Sequence, residues 1–204
     1  VLPQQKPVAR CNVAEALDGA STGPAIYVRI NASDQVDMAD EMGAVVRSGL
    51  AGLMLPKVES PKCIEDLEPM LLEMEEHANM EAGSVGIVAT IESARGIIHA
   101  PAIADASPRM RALMLGSEDL ALDLGITCGT NGCPDDMVYA RSATVVAAAS
   151  AGLQSIDRIV PNIEDAERLE RDARQGRGLG FTGKAVIHPR QIDIIRRCFV
   201  PSDT

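Results

Sequence analysis

Charged residues recur where the apolar runs of this 204-residue sequence stop. AIYVRIN ends in Arg29 and Asn31, GLMLPKVES in Lys57 and Glu59, VGIVATIES in Glu92 and Ser93, and RALMLGSED in Ser117, Glu118 and Asp119. SIDRIV holds Asp157 and runs out to Asn162, and KAVIHP ends in His188. Glu92 and Asp119 come from consecutive runs, so their carboxylates could meet over one site. Two hard oxygen donors with no His or Cys nearby favour Mg2+ or Mn2+ over zinc. Gly116 would let the backbone approach such a site closely. Arg29 offers a planar fork suited to a carboxylate or phosphate. A plainer role is open to each residue as well. Glu92 could cap a helix starting near Ala94, Asp119 could be an N-cap, and Arg29 could close an ion pair. His188, before Pro189, reads more readily as a hydrogen-bonded structural histidine.

The elements that must position these residues alternate along the chain. Runs at 25–31, 52–58, 85–93, 111–116, 155–160 and 184–189 read as strands. Helical spacing of apolar residues falls between them, at 34–48, 61–78, 94–104, 134–151 and 164–175, with a short helix through Arg197. Nearly continuous apolar strands separated by helices imply an α/β protein whose parallel sheet is covered on both faces. A doubly wound open sheet and a TIM (β/α)8 barrel both fit. No GxGxxG or P-loop follows any strand, which weakens the nucleotide-binding open sheet. In a barrel, all the charged strand ends would converge on the carboxyl-terminal face, where barrel active sites lie. No low-complexity linker divides the chain, so residues 1–204 read as a single domain.

Composition narrows the partners. Apolar residues make up 46% of the sequence, enough for a sizeable core, but aromatics are only 2% and Trp is absent. A reader that stacks bases on aromatic rings is therefore not expected. The net charge of −10 argues against binding a phosphate backbone. No run of 18 apolar residues marks a membrane span. Five scattered cysteines, Cys11, Cys63, Cys128, Cys133 and Cys198, suit free thiols in a reducing compartment, and a cytoplasmic location is expected. The close pair Cys128 and Cys133 has no neighbouring His, so neither zinc nor a disulfide is expected there.

Five of these stretches together resemble the citrate lyase beta-subunit-like family of the HpcH/HpaI aldolase and malyl-CoA lyase superfamily. They are VRIN, GLMLPKVES, ATIESARGI, LMLGSEDLALDLG and AVIHPRQI, in register from about Lys6 to Pro201. The resemblance implies a TIM barrel with an active-site Mg2+ and C–C bond chemistry on short 3-hydroxyacyl-CoA thioesters, such as citryl-, malyl- and citramalyl-CoA. It implies Glu92 and Asp119 as metal ligands and Arg29 as the carboxylate-binding arginine. Lys57 is implied as a catalytic residue on the same face, with Glu59 and Ser117 as substrate contacts. It also implies a homo-oligomer, trimeric or hexameric. In this family an FVP-type strand and an acidic LED motif normally precede the KxxxR of Lys6 to Arg10. The first two barrel strands are therefore expected to be missing here, as is a carboxyl-terminal lid after FVPS. Asn162 stands where family members tend to carry an acid.

These features predict a Mg2+-dependent carbon–carbon lyase that releases a 2-oxo acid and an acyl thioester from an acyl-CoA or acyl-carrier substrate. Two alternatives use the same residues: a thioesterase on the same site, and a non-catalytic homologue that binds a thioester or a protein partner. The residues named leave the base for the hydroxyl proton unassigned.

Overall fold

In the computed structural model, residues 3–19, 23–31, 35–127 and 137–200 are described. Six strands form one sheet: β1 (Ile26–Arg29), β2 (Leu50–Leu55), β3 (Gly86–Ile91), β4 (Met110–Leu115), β5 (Gln154–Asp157) and β6 (Gly183–Lys184). Their spatial order is their chain order, and all five pairings are parallel. A doubly wound sheet reverses direction at a switch point. This sheet never reverses, so the winding is that of a barrel wall. A complete (β/α)8 wall has eight strands, of which the described residues contribute six.

Helices α1 (Lys6–Asp18), α2 (Gln35–Val45), α3 (Lys62–Glu65), α4 (Glu68–His77), α5 (Ala94–Ala104), α6 (Ser117–Asp123), α7 (Val138–Ser150), α8 (Ala166–Leu179) and α9 (Ile192–Phe199) accompany the strands. β3 is buried at every position, as its unbroken apolar run anticipates. Leu53, Ile87, Ala89, Ile91, Leu113 and Leu115 are wholly buried in one core cluster. Each large apolar side chain among them contributes about 1.5–3 kcal/mol of burial. A smaller cluster of Val160, Leu169, Ala173 and Ile195 lies under α8 and α9.

Several boundaries differ from the sequence reading. The helix expected over 61–78 is two helices. Pro69 has no N–H to pair with the Glu65 carbonyl, and the helix is interrupted just before it, at Asp66–Leu67, with Pro69 in the first turn of α4. The strand expected over 52–58 stops at Leu55 because Pro56 follows and Lys57 turns to a positive φ of 52°. The strand expected over 184–189 shrinks to two residues, since β5 offers partners only to Gly183 and Lys184. The helix expected from 134 is described from Val138. Helices α1 and α6 were not expected from the sequence. Cys11, Cys63 and Cys198 are free thiols, while Cys128 and Cys133 lie outside the described residues.

Two buried charge clusters brace the frame. At the amino-terminal end of β3 and β4, Arg109 grips Glu75 through two bonds of 2.7 Å, and Glu75 also accepts from Gly83 and Val85 N–H. Burial raises the Glu75 carboxyl, but these donors outweigh it and hold it at about 2. Between the sheet and α7 and α8, Arg141 pairs with Asp157 at 2.6 Å and Arg158 with Asp172 at 2.7 Å. Lys184 Nζ donates to Asp157 at 3.0 Å and also bonds Asp172. Burial raises the Asp172 carboxyl as well, but Lys184 and Arg158 carry it below its ordinary value.

Candidate functional site

The carboxyl-terminal ends of β2, β3 and β4 meet at three side chains. Glu92 follows β3 directly and is 8% exposed. Its Oε1 accepts from the Lys57 backbone N–H at 2.7 Å. That N–H points at Glu92 from the left-handed turn which ends β2, a conformation few residues with a Cβ adopt. Lys57 also reaches the other acid: its Nζ lies 3.9 Å from Asp119 Oδ1. One residue therefore touches both carboxylates, through its backbone and through its ammonium.

Burial pushes the Glu92 carboxyl above its ordinary range, and the Asp119 charge adds to the push. The Lys57 N–H and the charges of Arg29 and Lys57 pull the other way without prevailing. Asp119 and Arg29 are therefore near enough to act on Glu92 electrostatically.

The plainer roles open to these acids are taken by other residues. Ser93 is the N-cap of α5, with its hydroxyl accepting from Gly96 N–H at 3.1 Å. Asp123 reaches back to accept from Ala94 N–H at 2.7 Å. Glu92 is thus released from capping. Gly116, not Asp119, is the N-cap of α6, and Asp119 sits in the first turn. A Cβ on Gly116 would stand 2.5 Å from Glu92 Oε2, so the glycine leaves the space that the carboxylate fills.

The remaining candidates divide. Arg29, exposed at the end of β1, lines a cavity of about 130 Å³ with Lys6, Arg10, Asn31 and Glu41. Asn31 is tied to Glu41 by backbone and side-chain bonds of 2.7 and 2.8 Å. Ser117 is buried, and its hydroxyl donates to Glu118 at 3.0 Å. Glu59 contributes its backbone carbonyl to His99 Nδ1 at 2.6 Å. Its carboxylate joins neither Glu92 nor Asp119 by any bond among the described residues. His188 caps a short 3-10 turn, Nδ1 accepting from Arg190 N–H at 3.2 Å, so the structural role holds for it. Asn162 Oδ1 accepts from Glu164 N–H at 3.1 Å. The sequence reading missed Asp123. The only signal for it is the four-residue spacing from Asp119, which puts both on one side of a helix.

The donor set fits a hard divalent cation. Among the described residues no group of three or more His, Cys, Asp or Glu gathers as a metal cage. Mg2+ needs no such cage, because it takes one or two carboxylates and fills its octahedron with waters and substrate oxygens. The pair of Glu92 and Asp119, one of them desolvated and neither clamped by an arginine among the described residues, is an anionic site of that kind.

The chain is similar to several known proteins. The chain is 34% identical over 202 residues to the citrate lyase subunit beta of Leuconostoc mesenteroides subsp. cremoris, covering 98% of this chain and 66% of that protein. It is 30% identical to the L-malyl-CoA/beta-methylmalyl-CoA lyase of Cereibacter sphaeroides, covering 100% of this chain and 70% of that one. The chain spans 57 to 66% of the length of the citrate lyase beta subunits it matches. Its structure superposes with a TM-score of 0.79 and 30% identity on CitE of Mycobacterium tuberculosis in complex with magnesium, acetoacetate and coenzyme A, covering 100% of this chain and 70% of that one. The family model of HpcH/HpaI aldolase/citrate lyase matches residues 1–189. A match of that extent, on a one-way parallel sheet with paired acids at its strand ends, makes this chain a member of the HpcH/HpaI aldolase/citrate lyase family.

Proposed function

We propose that this chain carries the Mg2+-binding face of a carbon–carbon lyase. Its substrate would be a short 3-hydroxyacyl-CoA or acyl-carrier thioester, cleaved to a 2-oxo acid and an acyl thioester. The observation that carries the reading is the meeting of Glu92 and Asp119 on Lys57 at adjacent strand ends. Two relatives named as a citrate lyase subunit and a malyl-CoA lyase support it, as does the magnesium, acetoacetate and coenzyme A complex of CitE.

Glu92 and Asp119 would hold the cation. When bound, Mg2+ supplies Lewis-acid stabilisation of the negative charge that develops on the substrate oxygen. Arg29 would take the substrate carboxylate as a two-pronged pair, fixing the acid end while the C–C bond breaks. The hydroxyl proton leaves to a base. The electron pair of the breaking bond passes to the carbon next to the thioester carbonyl, which then takes up a proton. The burial of Glu92 keeps bulk water from one side of the pair, which strengthens electrostatic interactions across it.

Incubation with malyl-, citryl- and citramalyl-CoA, with and without Mg2+, tests the reading. The expected result is Mg2+-dependent release of a 2-oxo acid matched by an acyl-CoA product. Free thiol without 2-oxo acid would assign a thioesterase instead. Binding of the thioesters with no product would assign a non-catalytic homologue.

A further inference from the structure

We propose that Lys57 is a built-in counter-ion that occupies the acid pair when no divalent cation is bound and gives way when one arrives. The inference rests on the metal site proposed above and assigns a role within it. Two features of Lys57 pull in different directions. Its backbone is fixed: the left-handed φ of 52° aims the N–H at Glu92 Oε1, 2.7 Å away. Its ammonium is loosely held: Nζ is 3.9 Å from Asp119 Oδ1, at the outer limit of an ion pair, and the side chain is 69% exposed. A lysine retained for a permanent contact would be gripped at hydrogen-bond distance, as Lys184 is by Asp157 at 3.0 Å.

The electrostatics require some cation there. Asp119 is 48% exposed at its side chain, but Glu92 is nearly buried, and two carboxylates that sense each other are costly without a compensating charge. Arg29 also acts on Glu92, but among the described residues the ammonium of Lys57 is the cation that reaches Asp119. A lysine head on a four-carbon stem can leave without moving the backbone. The N–H would stay on Glu92 while the ammonium moves outward. Metal binding would thus exchange the one positive charge beside Asp119 for two, and release a cation at the mouth of the site where an anionic substrate enters.

The test is calorimetric titration of the purified chain with Mg2+ and Mn2+ at fixed ionic strength, in wild type, Lys57→Met and Lys57→Gly. Methionine keeps the stem and loses the charge. Glycine loses both and suits the positive φ, so it keeps the measurement decisive should the methionine variant fold poorly. Removing a competing unit charge about 4 Å from the site should tighten both cations by about tenfold. Thermal shift by Mg2+ should grow in the same order. Unchanged affinity in a folded variant would overturn the counter-ion role while leaving the metal site standing. Weaker affinity would overturn it too, and would show Lys57 to be a positioning residue. If wild type and variants alike bind neither cation, the metal site itself fails, and this inference fails with it.

Discussion

Gly116→Ala separates the geometry of the acid pair from its charge. At φ −97° and ψ 91° the backbone accepts alanine as readily as glycine, so no dihedral strain enters. The new Cβ would stand 2.5 Å from Glu92 Oε2 and 2.7 Å from Glu92 Cβ, where ordinary contact begins at 3.4 Å. The Glu92 side chain must therefore retreat by about 0.9 Å at its oxygen and about 0.7 Å at its stem. It is nearly buried, with Thr90 Cγ2 also within 3.1 Å of the added atom, so there is little room to absorb the shift. A shift of that size also moves the other oxygen, Oε1, from the position in which it accepts from the Lys57 N–H at 2.7 Å, and weakens that bond. Overpacking of this kind costs about 1–3 kcal/mol, and a misplacement of about 1 Å in a site costs on the order of 100-fold in rate. In steady-state assays with saturating Mg2+, kcat/KM should fall by about 100-fold. The melting temperature should fall only by about 2–12 °C for a chain of this size. A folded Gly116→Ala variant with Mg2+ affinity and turnover within about twofold of wild type would refute the reasoning. Glu92 would then not present that oxygen face to the reacting centre.

Asp119→Asn should abolish Mg2+-dependent product release while leaving the far-ultraviolet circular dichroism and the melt unchanged. Retained activity would remove Asp119 from the metal site. Glu75 should make the fold acid-sensitive. Its carboxyl is held at about 2 against an ordinary 4.5, so its contribution is complete above about pH 4.5 and is lost as pH falls towards 2. The full amount at stake is about 3 kcal/mol, of which about 2 kcal/mol is lost by pH 3, so the drop in unfolding free energy between urea melts at pH 7 and pH 3 should be about 2 kcal/mol larger in wild type than in Glu75→Gln. Lys184→Met leaves Asp157 and Asp172 buried with one cation fewer. Unfolding free energies from urea melts should fall by about 3–5 kcal/mol, and a loss under 1 kcal/mol would show that the two arginines suffice.

How much of this was legible depends on whether a residue's role is local. The run VGIVATI marks β3 because a strand buried on both faces must be apolar at every position. The bounds of α5 read correctly because Ser93 supplies its own cap. Glu92, Asp119 and Arg29 stand out by type at a strand end, which is a one-dimensional signal. Helix α1 was not, because Leu17 is its only fully buried side chain and Val8 is 63% exposed, so its apolar periodicity is faint. Helix α6, at seven residues, is too short to show a period. The turn at Lys57 carries no glycine to announce a positive φ. Arg141, Asp157, Asp172 and Lys184 meet only in space, from four elements: Asp157 stands out in the sequence as a strand-end charge, but nothing there shows that it is buried on Arg141 and Lys184 instead of joining Glu92 and Asp119.

The one-way order of the strands has a consequence for how the chain acquires its structure. Each strand pairs only with those next to it in sequence, so every ladder closes a loop of one helical crossover, and closure costs little more for one unit than for the next. Assembly can therefore spread outward from the middle, by short-range steps that keep folding fast for a parallel sheet. β3 is paired on both sides and buried throughout, whereas β6 has two residues and, among the described residues, a single partner. Native-state hydrogen exchange should show that gradient, slowest in the amides of Gly86–Ile91 and faster towards β1 and β6. Uniform protection across the sheet would mean that it opens as one cooperative block. Under the expected gradient, Glu92, at the end of the strand that opens last, is held in place while its outer neighbours fluctuate.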